Sequence, residues 1–240
     1  MSFIKIEEGI YYYPFDDKYL RPNLFYIRGE GKSLAVDAGN SRKHRLEFFE
    51  EIKKQDLREP DIIVLTHCHW DHTLGLDGFE GRSISTEQSK NRLAEFRNFS
   101  WTKDSLKEIT KQGFMSKFSY LYMRKVYRND PIHIPDIGES YKGRKKLDVG
   151  GKIVELIQTE TPHCEDSTIV WIPDQKIVII GDGDYPSYKN NVEFYDKERT
   201  LSFCKTVESL PFEYYCGSHK RPLNRIDGLK QLELLRKKAE

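Results

Sequence analysis

Cysteine is scarce and never closely paired in this chain of 240 residues: only Cys68, Cys164, Cys204 and Cys216 occur, with no C-x-x-C pair. That spacing excludes a disulfide framework and leads us to expect reduced thiols in a cytosolic setting. Long hydrophobic runs are also missing. No stretch approaches the ~18 apolar residues of a membrane span, and residues 1–8 do not pair a basic segment with an apolar one. A soluble, unexported, cytoplasmic protein with no membrane partner is the expectation. An excess of either charge is lacking too, because 39 Lys and Arg face 38 Asp and Glu for a net charge of +1. No overall bias toward nucleic acid follows. Low-complexity tracts and short repeats are absent.

What is present is length and alternating pattern. A chain of this size buries roughly 70 to 75% of its unfolded surface, as one large domain or two small ones. Short strands are predicted over residues 3–6, 9–13, 23–28 and 33–37, with a hairpin turn at Arg28 to Lys32. Residues 42–55 carry Leu46, Phe49 and Ile52 at helical spacing. The apolar run Asp61 to Leu65 reads as a buried strand. Helices are predicted over 87–96, 105–112 and 115–127, then strands over 144–149, 152–159, 168–172 and 176–180. Closing helices follow over 197–210 and 224–238, the second capped by Asn224 and striped by Ile226, Leu229, Leu232 and Leu235.

The densest chemistry lies directly after the 61–65 strand, in Thr66-His67-Cys68-His69-Trp70-Asp71-His72. Three imidazoles and a carboxylate within six positions suit a metal. If the backbone stays extended, His67 and His69 project from one face roughly 6.5 to 7 Å apart, and Cys68 points away. Neutral imidazole with carboxylate suits zinc, iron or manganese, and an oxygen ligand marks a catalytic rather than a structural site.

The pattern H-x-H-x-D-H resembles the signature of the metallo-β-lactamase-fold hydrolases. Companion residues occur in the family's order: His163 in Thr161-Pro162-His163, Asp182 in Ile179-Ile180-Gly181-Asp182, and His219 in Cys216-Gly217-Ser218-His219. Five of the seven histidines thus fall at family positions. The resemblance implies a single domain over 1–240 with an α/β fold, a four-layer αβ/βα sandwich carrying a helical insertion at about 86–130. It further implies that His67, His69 and His163 bind one metal, that Asp71, His72 and His219 bind a second, and that Asp182 bridges them. Two divalent ions, zinc with iron or manganese as alternatives, are the expected cofactors. Asp71, Asp182 and Tyr185 are the expected catalytic residues.

Several positions stay open at this stage. Asp37-Ala38-Gly39 resembles the family's first motif, an aspartate supporting the ligands from behind, and reads equally well as a turn. The usual glycine before the third-motif histidine is absent, because Pro162 precedes His163. Asp184 is a surface or pocket residue, while His44 and His133 are surface or turn residues. Cys68 and Cys164 read as small buried or loop thiols rather than ligands. Tyr185 follows Asp182 at the offset found in acyl-homoserine lactone lactonases, where the hydroxyl assists at the carbonyl, and a structural tyrosine is the alternative. Lys220 and Arg221 either bind a substrate carboxylate or face solvent. The aromatic residues of the 86–130 segment, Phe99, Trp101, Phe114, Phe118, Tyr120, Tyr122 and Tyr127, form core, a substrate lid or a homodimer contact. Eleven basic against five acidic residues between Lys103 and Lys146 suggest an anionic substrate or a solvated face.

The functional expectation is a metal-dependent hydrolase in which a hydroxide bridging two ions attacks an ester, lactone, thioester or amide carbonyl of a small, anionic molecule. An exported β-lactamase is disfavoured by the missing leader, and a glyoxalase-type thioesterase by the short stretch after His219. The alternative is a mononuclear iron sulfur dioxygenase-like oxidoreductase on the same fold.

Overall fold

Alternation along the strands decides the layering. In the computed structural model, which describes residues 2–111, 115–128, 130–189 and 192–240, seven strands form the first sheet in sequential order. These are β1 (Ile4–Glu7), β2 (Ile10–Tyr13), β3 (Leu24–Arg28), β4 (Ser33–Val36), β5 (Ile62–Val64), β6 (Arg82–Thr86) and β7 (Glu139–Tyr141). The second sheet uses β8 (Arg144–Asp148), β9 (Ile153–Thr159), β10 (Ser167–Ile172), β11 (Ile177–Gly181), β14 (Tyr214–Gly217) and β15 (Leu223–Asn224), in the order β15-β14-β11-β10-β9-β8. A small hairpin of β12 (Ser187–Lys189) and β13 (Val192–Phe194) stands apart.

Leu34, Val36, Ile62 and Val64 of the first sheet share one apolar cluster with Val170, Ile172, Ile177 and Ile179 of the second. Their neighbours Ala35 and Ile63 face the opposite side, against Phe48, Phe49 and Ile52 of helix α1 (Arg42–Lys53) and Leu93 of α3 (Glu87–Phe96). On the far side, Ile169, Trp171, Val178 and Ile180 pack on Phe203 and Val207 of α6 (Lys197–Glu208) and Leu232 and Leu235 of α7 (Arg225–Lys238). Period-two strands buried on both faces therefore produce the helix, sheet, sheet, helix order expected from sequence. Each fully buried Leu, Ile or Phe contributes roughly 1.5 to 3 kcal/mol of transfer free energy.

The helices differ from expectation in which residues they bury. Arg45, Phe48, Phe49 and Ile52 form the buried face of α1, and Leu46 is 46% exposed. Phe48 and Phe49 set that face, and Leu46 lies about 200° round the helix from Phe48. Arg45 takes the inner position by donating to Asp77 O at 2.8 Å and lying over the rings of Phe49 and Phe79. His44 is also fully buried, not a surface or turn residue, whereas His133 is exposed. On α7, Ile226 is 67% exposed and outside the stripe, while Asn224 caps the helix by accepting from Asp227 N at 2.9 Å.

Between β6 and β7 the chain forms α3, α4 (Lys103–Lys111) and α5 (Lys117–Val126). Leu106 and Met123 pack with Leu74, Trp70, Trp101, Tyr120 and Tyr127 in a small separate cluster. Tyr127 also donates to Asn40 O at 2.9 Å, tying α5 to the sheet layer. Aromatic residues of this stretch thus divide between local core and surface, with Phe118 48% exposed. The helix end expected at Gln112 and the aromatic Phe114 lie outside the described residues.

Candidate metal centre

Strands β4, β5 and β6 run parallel, as do β11 and β14, so their carboxyl ends gather loops along one edge of the sandwich. Asp37 follows β4, the His67 to His72 run follows β5, Asp182 follows β11, and His219 follows β14. His163 comes from the connection between the antiparallel strands β9 and β10. The β5 strand ends at Val64, and His69 is already the N-cap of the short helix α2 (Trp70–Thr73). The extended geometry expected through His69 therefore does not occur. The chain turns instead, which brings Asp71 and His72 beside His67 and puts Cys68 on the wall of the cavity rather than facing away.

All seven sequence-predicted donors come together, in two adjoining groups: His67, His69 and His163, then Asp71, His72, Asp182 and His219. In the first group, Nε2 of His67 and Nε2 of His163 lie 3.0 and 2.9 Å from Nδ1 of His69. In the second, Nε2 of His72 lies 3.4 Å from Asp71 Oδ2 and 3.4 Å from Asp182 Oδ2, and Nε2 of His219 lies 3.3 Å from Asp71 Oδ2. Asp182 stands between the groups, with Oδ2 also 3.6 Å from His163 Nε2 and Oδ1 3.6 Å from His219 Nε2.

Behind these atoms a hydrogen-bond network orients the rings. Asp37 is buried and accepts from Thr66 N at 2.7 Å, Thr66 Oγ1 at 2.9 Å and His72 Nδ1 at 2.7 Å. Thr66 Oγ1 in turn lies 3.0 Å from His67 Nδ1. One carboxylate therefore steers an imidazole in each group, turning Nε2 of both inward. His163 Nδ1 donates to Pro186 O at 2.9 Å, which does the same without the missing glycine. Asp37 sustains a φ of +65°, a left-handed backbone that aspartate tolerates better than most residues.

Electrostatics separates the two groups. Burial pushes the pKa of His67 well down and that of His69 to about 3, so both rings are neutral, the form that ligates a metal. Burial also opposes charge on His72, but Asp182, Asp37 and Asp71 outweigh it and raise its pKa. His219 is raised likewise by Asp182 and Asp71 against burial. Burial works against ionised Asp71 and Asp182 as well, and the neighbouring imidazoles, His72 foremost, overcome it and hold both carboxylates ionised.

The residues fit divalent ions on their own chemistry. Three inward imidazole nitrogens at about 3 Å have no other hydrogen-bond acceptor to share, and buried His72 Nε2 and Asp182 Oδ1 are unpartnered by any hydrogen bond. A cation within reach of imidazole nitrogen and carboxylate oxygen satisfies them all.

One residue supporting the site was not singled out by sequence. Buried Asn23 donates through Nδ2 to Gly217 O and Lys220 O, both at 2.7 Å, and its N–H donates to Ser218 O at 2.6 Å, clamping the His219 loop. Asp184 is buried rather than at the surface, accepting from Lys220 Nζ at 2.6 Å and Tyr215 OH at 3.0 Å. Lys220 is thereby committed to Asp184, while Arg221 is exposed. Tyr185 OH donates to His219 O at 3.2 Å, and burial raises its pKa, keeping the hydroxyl protonated. No local pattern marked Asn23, whose partners lie at the other end of the chain.

The two groups open into a cavity of about 1120 Å³ walled by Trp70, Phe96, Phe99, Trp101 and Phe118 on one side and by Tyr185 and Tyr188 on another. Arg92, Lys142 and Arg199 also border it. Of the basic residues between Lys103 and Lys146, Lys142 is the one placed there among the described side chains, while Lys145 and Lys146 pair with Glu139 and Glu155.

Comparison with known families agrees with this geometry, since the model of the metallo-beta-lactamase superfamily matches residues 19–219. The chain belongs to that superfamily. The human acyl-coenzyme A thioesterase MBLAC2 is 26% identical over 95 residues, 35% of this chain and 34% of that protein. A probable metallo-hydrolase of Methanocaldococcus jannaschii is 35% identical over 51 residues, 21% of this chain and 24% of the relative. The matches thus span about a third and about a quarter of those relatives' lengths. Among solved structures, a metallo-beta-lactamase from Pontibacter korlensis superposes with a TM-score of 0.69 at 15% identity, covering 98% of both chains. A metallo-beta-lactamase family protein from Thermus thermophilus gives 0.66 at 18% identity over 97% of this chain and 80% of the other. These likenesses establish the superfamily fold. Among the described residues, no helix is long and apolar enough to cross a membrane.

Proposed function

We propose that this protein is a dinuclear metal hydrolase that cleaves an ester, lactone, thioester or amide carbonyl of a small molecule. The observation that carries the reading is the convergence of seven donors into two adjoining groups with Asp182 between them, on the floor of a cavity. His67, His69 and His163 would hold one divalent ion, Asp71, His72 and His219 the other, and Asp182 both; zinc suits this donor set, as do iron and manganese. Ions held there supply Lewis acidity, which lowers the pKa of a water toward neutrality and stabilises negative charge growing on a carbonyl oxygen.

The protein's own groups divide the remaining work. Asp71 and Asp182, kept ionised by the imidazoles around them, would balance the positive charge and orient the attacking water. Tyr185, with its hydroxyl protonated at the cavity wall, would turn its hydrogen from His219 O toward the substrate carbonyl or the leaving group. Aromatic residues from α3 to α5 cover the apolar part of the substrate and exclude water, and Lys142 favours an anionic substituent, whereas Arg92 and Arg199 pair with Glu95 and Glu165. The named activity of the human relative supports including a thioester among the substrates to be tried.

Metal analysis of the purified protein, followed by a screen of lactones, thioesters, esters and amides, tests the proposal. Two equivalents of divalent metal per chain, turnover abolished by chelation and restored by metal, and loss of both properties in Asp182→Ala are expected. One iron per chain with oxygen uptake would overturn it in favour of an oxidoreductase. Full turnover in Tyr185→Phe would remove Tyr185 from the mechanism.

A further inference from the structure

Asp166 takes no part in the chemistry described above, yet three parts of the cavity meet on it. It is buried in the connection between β9 and β10 that also carries His163. Oδ2 accepts from Thr86 Oγ1 and, at 2.7 Å, from Ser89 Oγ, while Oδ1 accepts from Gln158 Nε2 at 2.8 Å. Thr86 is the N-cap of α3 and accepts from Ser89 N at 3.2 Å, so the carboxylate stands at the first turn of the helix that brings Arg92 and Phe96 to the cavity. Gln158 in turn accepts through Oε1 from Gly143 N at 2.7 Å, beside Lys142 at the cavity border. Burying a carboxylate is costly, and an apolar residue of similar volume would fill the space without that cost. What the carboxylate adds is direction, through donors fixed on three separate segments.

The segment that most needs direction is the one bearing His163. His67 and His69 belong to the first half of the sandwich, whereas His163 comes from the second. Its own ties, Nδ1 to Pro186 O at 2.9 Å and Ser187 Oγ to its carbonyl at 2.8 Å, lie within that second half. They orient the ring and leave its distance from His67 and His69 open. That distance depends on bridges between the halves along this edge. Thr168 N donates to Thr66 O at 2.6 Å, Tyr141 OH and Thr168 Oγ1 are 2.8 Å apart, and Asp166 accepts from Thr86 and Ser89. Of these bridges Asp166 stands nearest His163 in the chain, three residues away, a span of at most about 10 Å. The turn closed by Thr161 N donating to Cys164 O at 2.9 Å holds His163 within the same short loop.

We propose that Asp166 is a positioning residue, one that sets His163 at ligating distance from His67 and His69 and seats α3 in the cavity wall. Metal–ligand distances tolerate only about 0.2 Å, so a loop released from α3 loses the fit of one imidazole out of three. The Asp71, His72 and His219 group lacks this dependence, because none of its members lies on the loop. This inference rests on the two-metal reading given above for the same site.

The test is stepwise metal binding by chelator competition on the full chain. In Asp166→Ala one of the two steps should weaken about tenfold or more, the loss typical of residues that support ligands, while the other stays within about twofold. His219→Ala leaves the three-histidine group complete, and adding Asp166→Ala to it should weaken the remaining ion by the same factor. Leu232→Ala, a core truncation under α7, lowers stability without touching the loop and should leave both steps unchanged. Hydrogen exchange of the metal-free Asp166→Ala protein should rise in residues 160–165 and in α3 but not in α6. Asp166→Asn is the second variant should the first fail to fold, and should weaken the same step about threefold or more. Two unchanged steps in the folded variant would overturn the proposal, as would equal weakening of both steps or unchanged exchange in the loop and α3. A wild-type chain that binds fewer than two ions sinks the hydrolase reading and this proposal with it, an outcome read before any variant is compared.

Discussion

Replacing Asp37 by Asn isolates the contribution of one carboxylate to the proposed metal centre. Asparagine keeps the shape of the side chain and tolerates the left-handed φ of +65°, so backbone strain is not altered. The charge and one acceptor are lost. Thr66 N–H donates to Oδ1, while Thr66 Oγ1 and His72 Nδ1 both address Oδ2. If the new NH2 stands at Oδ1, it opposes a backbone N–H that has no alternative partner. If it stands at Oδ2, His72 must accept through Nδ1 and carry its proton on Nε2, the atom that faces Asp71 and Asp182. The first arrangement sets donor against donor, and the second disfavours the tautomer a metal needs. Supporting residues of this kind are worth about 10- to 100-fold in metal affinity, or about 1.4 to 2.8 kcal/mol. The unsatisfied donor costs the metal-free protein a further 1 to 3 kcal/mol or so, and each kcal/mol lowers the melting temperature of a chain this size by about 2 to 4 °C. Chelator competition measures the first quantity and thermal unfolding after metal removal the second. An Asp37→Asn protein that binds both ions within twofold of wild type would refute the argument.

Gly181 has φ +59°, and a Cβ there would stand 2.7 Å from Cβ of Thr66, so Gly181→Ala should cost about 1 to 3 kcal/mol and displace Asp182. An unchanged denaturation midpoint would count against that close approach. Asp184→Ala strips Lys220 and Tyr215 of a buried acceptor and should destabilise by about 3 kcal/mol in urea unfolding, where a change below about 0.5 kcal/mol would show the pair to be dispensable. The pH dependence of the metal-free protein tests His44. Burial lowers its folded pKa below the unfolded 6.5, so the unfolded chain gains the proton first. Its contribution is whole above pH 6.5 and is lost as pH falls below it, at up to about 1.4 kcal/mol per pH unit. His44→Leu should flatten that slope by one proton, and parallel curves for the two proteins would contradict the assignment.

Much of the protein was legible in one dimension because its information is local. Strands buried on both faces read as apolar runs, and H-x-H-x-D-H concentrates donors within one turn of chain. The α3 helix spans the expected residues, and Asn224 caps α7 as its side chain suggested. Elements with weak local signals escaped: β6 and β7 are polar strands that join the sheet through parallel pairing. His44, Leu46 and Ile226 were misplaced because helical spacing leaves the direction of the core open, and Phe48 and Phe49 settled it for α1.

By itself, then, the sequence determined the ingredients: two layers of alternating strands, flanking helices, and the residue types a metal centre requires. Tertiary structure decided how they meet. His163, Asp182 and His219 are distant from His67 in the chain, and only parallel strands ending along one edge bring them within hydrogen-bond range. Asp37 reads from sequence as either a turn residue or a supporting aspartate until folding sets it behind His72. Cys68 would point away along a regular strand, but β5 ends at Val64 and the turn that follows places it on the cavity wall. Period-two geometry holds only while a strand lasts, and the donors here lie just past its end, where the backbone's direction is fixed by long-range contacts rather than by local pattern.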